Sequence, residues 1–115
     1  MDASVTLANW RTAPYSSQSF QNVDKLIPVS QILGSDQVWE FATELQSLES
    51  LVFEDHHGQE RQLAEVLDTT ATHGLVVLQE GRLVAERYSR GYDGTTPHIL
   101  FSVSKSLTGA LAGIL

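Results

Sequence analysis

The chain has 115 residues, enough for one small domain, and 42% of them are hydrophobic, which argues against wholesale disorder. Its formal net charge of −7 argues against nucleic acid or an anionic membrane surface as the main partner. It has no cysteine, which excludes a disulfide framework and a thiolate metal site.

The first fifty residues are predicted to form an N-terminal arm with one possible helix. Residues 1–30 sustain neither a helical nor a strand period, so we expect an irregular arm that lays a few apolar side chains on the body. Residues 26–29 are at best an edge strand, because Pro28 cannot donate to a ladder. A helix is predicted from Ser35 or Asp36 to Leu48, where apolar residues recur at helical spacing, although residues 38–41 also fit an extended segment.

Residue 51 is where the folded body is predicted to begin. Residues 51–54 are a short strand candidate, and the Asp-His-His-Gly sequence at 55–58 is typical of a turn. Residues 60–71 carry apolar side chains on one helical face and charged ones on the other, which predicts a helix. Gly74 is its expected terminator.

A β-hairpin is predicted next. Two apolar runs, at 75–78 and 83–85, flank Glu80-Gly81, and the glycine supplies the positive φ that a tight turn requires. Pairing across a two-residue loop sets Leu78 opposite Leu83, Val77 opposite Val84 and Val76 opposite Ala85. Both faces are apolar, so cover on both sides of the sheet is expected.

The last fifteen residues contain Ser102 and Lys105 in the spacing Ser-x-x-Lys, at the predicted start of an apolar helix. Residues three apart are neighbours on a helix, so the hydroxyl and the amine should lie side by side. A serine is a poor nucleophile until a base takes its proton, and a lysine does that only when its surroundings favour the neutral amine. The backbone N–H of Ser102 is a candidate for one half of an oxyanion hole.

The alternative interpretation of this pair is a helix N-terminus with Ser102 as cap and Lys105 as a solvated charge. Spacing alone does not decide between the two. A strand pair and a loop followed by Ser-x-x-Lys at the start of an apolar helix is, however, the arrangement in which the motif is catalytic. Gly109 and Gly113 share a stripe with the pair and would let another backbone come close, which predicts a central helix.

Three strings carry a resemblance to a known family: HGLVVL at 73–78, GRLVAERY at 81–88 and above all HILFSVSKS at 98–106. They resemble the serine β-lactamase, penicillin-binding protein and esterase superfamily on its class C-like branch. Within that branch the chain is most similar to 6-aminohexanoate-dimer hydrolase-like enzymes. The resemblance is strong over the last 45 residues or so and looser from residue 51 to residue 68.

The resemblance implies an α+β fold of the β-lactamase/transpeptidase type, in which helices cover a five-stranded antiparallel sheet. The hairpin would give its first two strands and the Ser-x-x-Lys helix would follow. Residues 51–115 would then be the start of the hydrolase domain. Ser102 would be the acylated nucleophile and Lys105 its proton partner, in hydrolysis of a small-molecule amide or ester without a cofactor.

The family also places a Tyr-x-Asn or Ser-x-Asn motif and a Lys-Thr-Gly or His-x-Gly motif downstream, and neither follows Ser102 here. We therefore expect an N-terminal fragment, truncated within the nucleophile helix and inactive as it stands. The alternative is a non-catalytic remnant or interaction module whose apolar C-terminal helix docks on a partner.

Other residues are expected to have structural roles. His56 and His57 are adjacent and do not share a helix face, so a two-ligand metal site there is not expected. His98 is predicted to be structural, because Lys105 on the helical face of Ser102 is the better base. The N-terminus lacks the basic start and apolar core of a signal peptide, so a cytoplasmic location without a membrane partner is expected.

Overall fold

The computed structural model describes residues 1–115 and has an α+β composition. In chain order its α-helices and β-strands are α1 (Ser16–Ser19), β1 (Ala42–Thr43), β2 (Val52–Glu54), β3 (Glu60–Gln62), α2 (Leu63–Thr69), β4 (Gly74–Gln79), β5 (Arg82–Tyr88) and α3 (Ser104–Ala112). Single 3-10 turns occupy Val23–Lys25 and Phe101–Val103. None of the helices is long and apolar enough to cross a membrane.

The chain divides into two compact units. The first combines residues 1–32 with residues 96–115, so the first part of the N-terminal arm and the Ser-x-x-Lys helix belong to the same unit. Within it Val5 and Ser19 are buried. The second unit comprises residues 33–95 and contains all the strands. The division into an arm at 1–50 and a hydrolase domain at 51–115 stays a prediction.

The predicted hairpin is present in the second unit, and β4 and β5 pair antiparallel around Glu80 and Gly81. Both turn residues have positive φ, 50° and 76°. The first pairs across the turn include Leu78 with Leu83, as predicted. Two adjacent residues with positive φ match the right-handed twist of the strands, which explains why so short a loop closes the hairpin.

The predicted register beyond Leu78 was wrong. The structure pairs Val77 with Ala85 and Val76 with Glu86, because the register shifts between Val77 and Leu78. The shift leaves Val84 as an extra residue on β5, which is a β-bulge. The alternation of apolar and polar residues in the sequence does not predict a bulge, because the extra residue leaves the apolar pattern unchanged. Val84 and Ala85, next to each other in sequence, are both buried.

A helix from Ser35 to Leu48 is absent, and that prediction was wrong. Residues 42–43 instead form β1, which lies parallel to β5 at Arg82 and Leu83. The N–H groups of Glu44 and Gln46 donate to the carbonyls of Leu83 and Val84 at 2.9 and 2.8 Å. In a helix these N–H groups would bond within the helix and could not donate to β5. The apolar side of such a helix would also need a surface to pack against.

The strand predicted at 51–54 is present as β2, and it pairs antiparallel with β3 across the predicted turn. The Asp55 carboxylate accepts hydrogen bonds from the N–H groups of His57 and Gln59, which fixes that turn. The helix predicted from residue 60 begins only at Leu63, because residues 60–62 are committed to β3.

Gly74 does not end α2, contrary to the prediction. The helix ends at Thr69, and Ala71 takes the left-handed conformation with a φ of 53°. The N–H of Thr72 then reaches back to the Leu67 carbonyl at 2.9 Å, as in a Schellman motif. Gly74 is instead the first residue of β4.

Candidate active site

Ser102 lies in the 3-10 turn that leads into α3, and Lys105 lies in the first turn of the α-helix. The spacing of three residues puts both side chains on the same side of this entry. The Nζ of Lys105 lies 3.0 Å from the Oγ of Ser102 and is within hydrogen-bond distance of it. The predicted juxtaposition of hydroxyl and amine is therefore present in the structure.

The hydrogen bond between the two groups can carry a proton in either direction. As an ammonium group, Lys105 donates to the serine oxygen; as a neutral amine, it accepts the hydroxyl proton along the same line. Both residues are exposed in this chain. In general a lysine serves as a base only as a neutral amine, and removal from water favours that form.

The backbone immediately before Ser102 is unusual. Phe101 has a φ of 46°, in the left-handed region that bulky side chains rarely adopt. The Ser104 hydroxyl donates to the Phe101 carbonyl at 2.6 Å. The N–H of Val103 donates to the Leu100 carbonyl at 3.0 Å. A tight, strained turn therefore presents Ser102.

Aromatic rings from the N-terminal arm contact this turn, which sequence reasoning did not anticipate. Trp10 stacks on Phe101 with ring centroids 6.0 Å apart, and Phe20 meets Phe101 edge to face at 5.3 Å. His98 lies edge to face against Phe20. Only the presence of Trp10 and Phe20 in the sequence hinted at this contact, since both are isolated aromatic residues in a segment without helical or strand periodicity.

Helix α3 is exposed in this chain, and its place as a central helix stays a prediction. Leu107, Leu111 and Ile114 are 59%, 66% and 81% exposed. A Cβ added at Gly109 would meet nothing within 4 Å. The apolar side chains of α3 and the face at Gly109 are therefore mostly open to solvent, because no other part of this chain covers them.

The remaining titratable candidates make contacts of their own. His56 and His57 have their ring centroids 3.8 Å apart, and no group of three potential metal ligands occurs in the structure. The Nδ1 of His98 lies 2.8 Å from the Ile99 carbonyl. Tyr88 donates its phenol proton to Glu86 at 2.6 Å, which raises the pKa of Tyr88.

Two known proteins are similar to this chain over nearly its whole length. It is 30% identical over 110 residues to the 6-aminohexanoate-dimer hydrolase of Paenarthrobacter ureafaciens, an alignment that includes 96% of this chain and 26% of that enzyme. A solved structure of a Bacillus anthracis protein assigned as a 6-aminohexanoate-dimer hydrolase matches 97% of the chain with a TM-score of 0.88 and 32% identity. No family model matches the chain.

The chain spans 26% of the length of the curated relative and 29% of the solved structure. Its backbone is therefore arranged like that part of a hydrolase named for the 6-aminohexanoate dimer. The contact between Ser102 and Lys105 lies within the matched part, since the match includes nearly every residue of this chain.

Proposed function

We propose that these 115 residues are the N-terminal part of a serine hydrolase that cleaves amide or ester bonds through an acyl-enzyme on Ser102. The observation that carries the proposal is the 3.0 Å contact between Lys105 Nζ and Ser102 Oγ at the entry to α3. It occurs in a chain that is similar over nearly all its length to two proteins named as hydrolases. Together these support a β-lactamase-related serine hydrolase.

The reaction would proceed in two halves. In the first, Ser102 Oγ attacks the substrate carbonyl carbon while Lys105, as a neutral amine, takes the hydroxyl proton. The tetrahedral intermediate collapses, the bond to the leaving amine or alcohol breaks, and that group leaves with the proton. In the second, water attacks the ester carbonyl of the acyl-enzyme while Lys105 takes one of its protons. The bond between the carbonyl carbon and Ser102 Oγ then breaks, Oγ takes the proton back from Lys105, and the acid product departs. No cofactor takes part in these steps.

The substrate would be a small molecule with an amide or ester bond. The relatives are named for the dimer of 6-aminohexanoate, a linear amide. This name supports a linear amide as the first substrate to assay, with short esters next and β-lactams after them. The same acyl-enzyme serves all three, so the choice between them depends on the walls of the substrate pocket.

We propose that the 115 residues alone are inactive. They span about a quarter of the curated relative. Ser102 and Lys105 are exposed, so water competes for the hydrogen bond between them. Measurable hydrolysis of p-nitrophenyl acetate by the purified 115-residue chain, abolished in Ser102→Ala, would overturn this proposal.

The nucleophile is tested by labelling the full-length protein with a fluorophosphonate probe and locating the adduct by mass spectrometry. We expect the adduct on Ser102, its loss in Ser102→Ala and its retention in the neighbouring control Ser106→Ala. Lys105→Arg keeps the charge but supplies no base, so labelling should slow by roughly a hundredfold or more. An adduct elsewhere, or unchanged labelling in Ser102→Ala, would contradict the proposal.

The exposed apolar side chains of α3 support one alternative function, a non-catalytic remnant or interaction module that docks this helix on a partner. The nucleotide sequence beyond codon 115 separates the two. An open frame with a Tyr-x-Asn motif and a Lys-Thr-Gly or His-x-Gly motif supports the hydrolase. A stop codon directly after Leu115 supports the module.

A further inference from the structure

Three aromatic rings of the first unit form a closed cluster at the entry to α3. Trp10 stacks on Phe101 with an interplanar angle of 20°. Phe20 meets both of them edge to face, at 6.0 Å from Trp10 and 5.3 Å from Phe101. Each ring therefore contacts the other two, in the geometries that aromatic pairs prefer.

The arm residues that carry two of these rings are themselves tied down. The Ser19 hydroxyl, fully buried, donates to the Trp10 carbonyl at 2.5 Å. The N–H of Ile99 donates to the Phe20 carbonyl at 2.8 Å, which joins the arm to the segment before the turn that holds Ser102. The ring cluster is thus anchored through the backbone as well as through side chains.

The third ring belongs to the residue whose backbone is strained. A φ of 46° costs free energy for a phenylalanine and persists only where the surroundings hold it. The ring of Phe101 is held between Trp10 and Phe20, and its carbonyl is held by the Ser104 hydroxyl. Ser102 follows directly, so the direction of its side chain depends on the Phe101 backbone.

We propose that Trp10 is a positioning residue for the nucleophile, acting through Phe101. The flat contact with Trp10 holds Phe101 in the left-handed conformation, and this sets the 3.0 Å approach of Ser102 Oγ to Lys105 Nζ. The inference rests on the proposed hydrolase function. It gives the N-terminal arm, which composition marks only as irregular, a part in catalysis.

The test compares Trp10→Leu with Trp10→Phe in the full-length protein. Leucine fills much of the space but cannot stack, whereas phenylalanine restores a flat ring. We expect Trp10→Leu to lower kcat and the rate of fluorophosphonate labelling of Ser102 by roughly tenfold or more, with KM changed by less than about twofold. Trp10→Phe should recover most of the loss.

The control is Trp39→Leu, the same substitution at the other tryptophan, which is 82% exposed and lies in the second unit. It should leave kcat unchanged. All variants are assayed well below their thermal unfolding midpoints, so that loss of folded protein does not enter the rates.

A double-mutant cycle identifies the route. Trp10→Leu should have no further effect on kcat when Phe101 is already alanine, because both act through one contact. Independent, additive losses would overturn the inference, as would an unchanged kcat in Trp10→Leu. Wild-type protein that takes no label on Ser102 would instead overturn the proposed function itself, so the two failures are distinguishable.

Discussion

The hairpin of β4 and β5 and the helix α3 differ in how far this chain covers their apolar side chains. In the hairpin, Val84 and Ala85 are 8% and 6% exposed, and β1 pairs with the outer side of β5. In α3, Leu111 and Ile114 are 66% and 81% exposed. The hairpin buries these two side chains within this chain, whereas the apolar side chains of the helix are mostly exposed.

The difference shows which part of the candidate site can form without cover over its apolar side chains. A helix satisfies its backbone hydrogen bonds internally, so it can place Ser102 beside Lys105 before its apolar face is covered. A strand cannot satisfy its backbone hydrogen bonds internally, because its N–H and C=O groups need a neighbouring strand. Geometry and chemical environment are therefore separable here: the pair is in contact but stands in water.

The largest effect expected from this comparison comes from placing the same charge in both regions. In the 115-residue chain, Val84→Lys should lower the free energy of unfolding by about 3 kcal/mol, because it buries a charge without a partner. Leu111→Lys should change it by less than about 0.5 kcal/mol, because that side chain is exposed. Urea unfolding followed by circular dichroism measures both.

Equal losses of unfolding free energy in the two lysine variants would contradict the comparison. The full-length protein sharpens it, because there the proposed cover lies over α3. Leu111→Lys should then become about as destabilising as Val84→Lys, and the gap between them should close.

The second comparison uses glycines. Gly81 has a φ of 76°, so Gly81→Ala should destabilise the chain by about 1 kcal/mol through backbone strain alone, since nothing lies near its missing Cβ. Gly109 lies inside α3 with nothing within 4 Å, so Gly109→Ala should stabilise the chain by about 0.5–1 kcal/mol. Chemical denaturation gives both signs, and a destabilising Gly109→Ala would show that this face is covered after all.

Local signals in the sequence predicted the hairpin turn, strand β2 and the contact of Ser102 with Lys105. Glu80-Gly81 has the chemistry of a tight turn, and a spacing of three brings two side chains together on a helix of any length. These features depend on a few neighbouring residues. They could be predicted because no distant part of the chain decides them.

The features that were missed depend on distant residues. Residues 35–48 have a helical period, yet β5 recruits Glu44 and Gln46 as donors, which is a long-range event. The Val84 bulge changes pairing without changing composition. Trp10 and Phe20 contact a turn some eighty residues or more along the chain, and no periodicity encodes such a contact.

A smaller effect is expected from Tyr92, which is buried in the second unit and stacks on His73 at 4.2 Å. Burial raises the pKa of Tyr92 above its ordinary value of 10.0, so the folded state keeps the phenol proton longer than the unfolded state does. The resulting stability is fully present below pH 10.0 and is lost as the pH rises through the raised pKa. Urea midpoints between pH 9 and 12 should fall more steeply in the wild type than in Tyr92→Phe, and parallel slopes would refute the assignment.

The smallest effect concerns Tyr88, at the end of β5, whose phenol donates to the Glu86 carboxylate at 2.6 Å. This hydrogen bond is the main cause of the raised pKa of Tyr88, because ionisation of the phenol would remove the donated proton and set two negative charges side by side. Glu86→Gln keeps an acceptor but removes the charge, so the pKa of Tyr88 should fall toward 10.0 while the urea midpoint at pH 7 hardly moves. Ultraviolet titration measures the pKa of Tyr88 when Tyr15→Phe and Tyr92→Phe are also present, because Tyr88 is then the one phenol left. An unchanged titration would mean that the charge of Glu86 does not act on Tyr88.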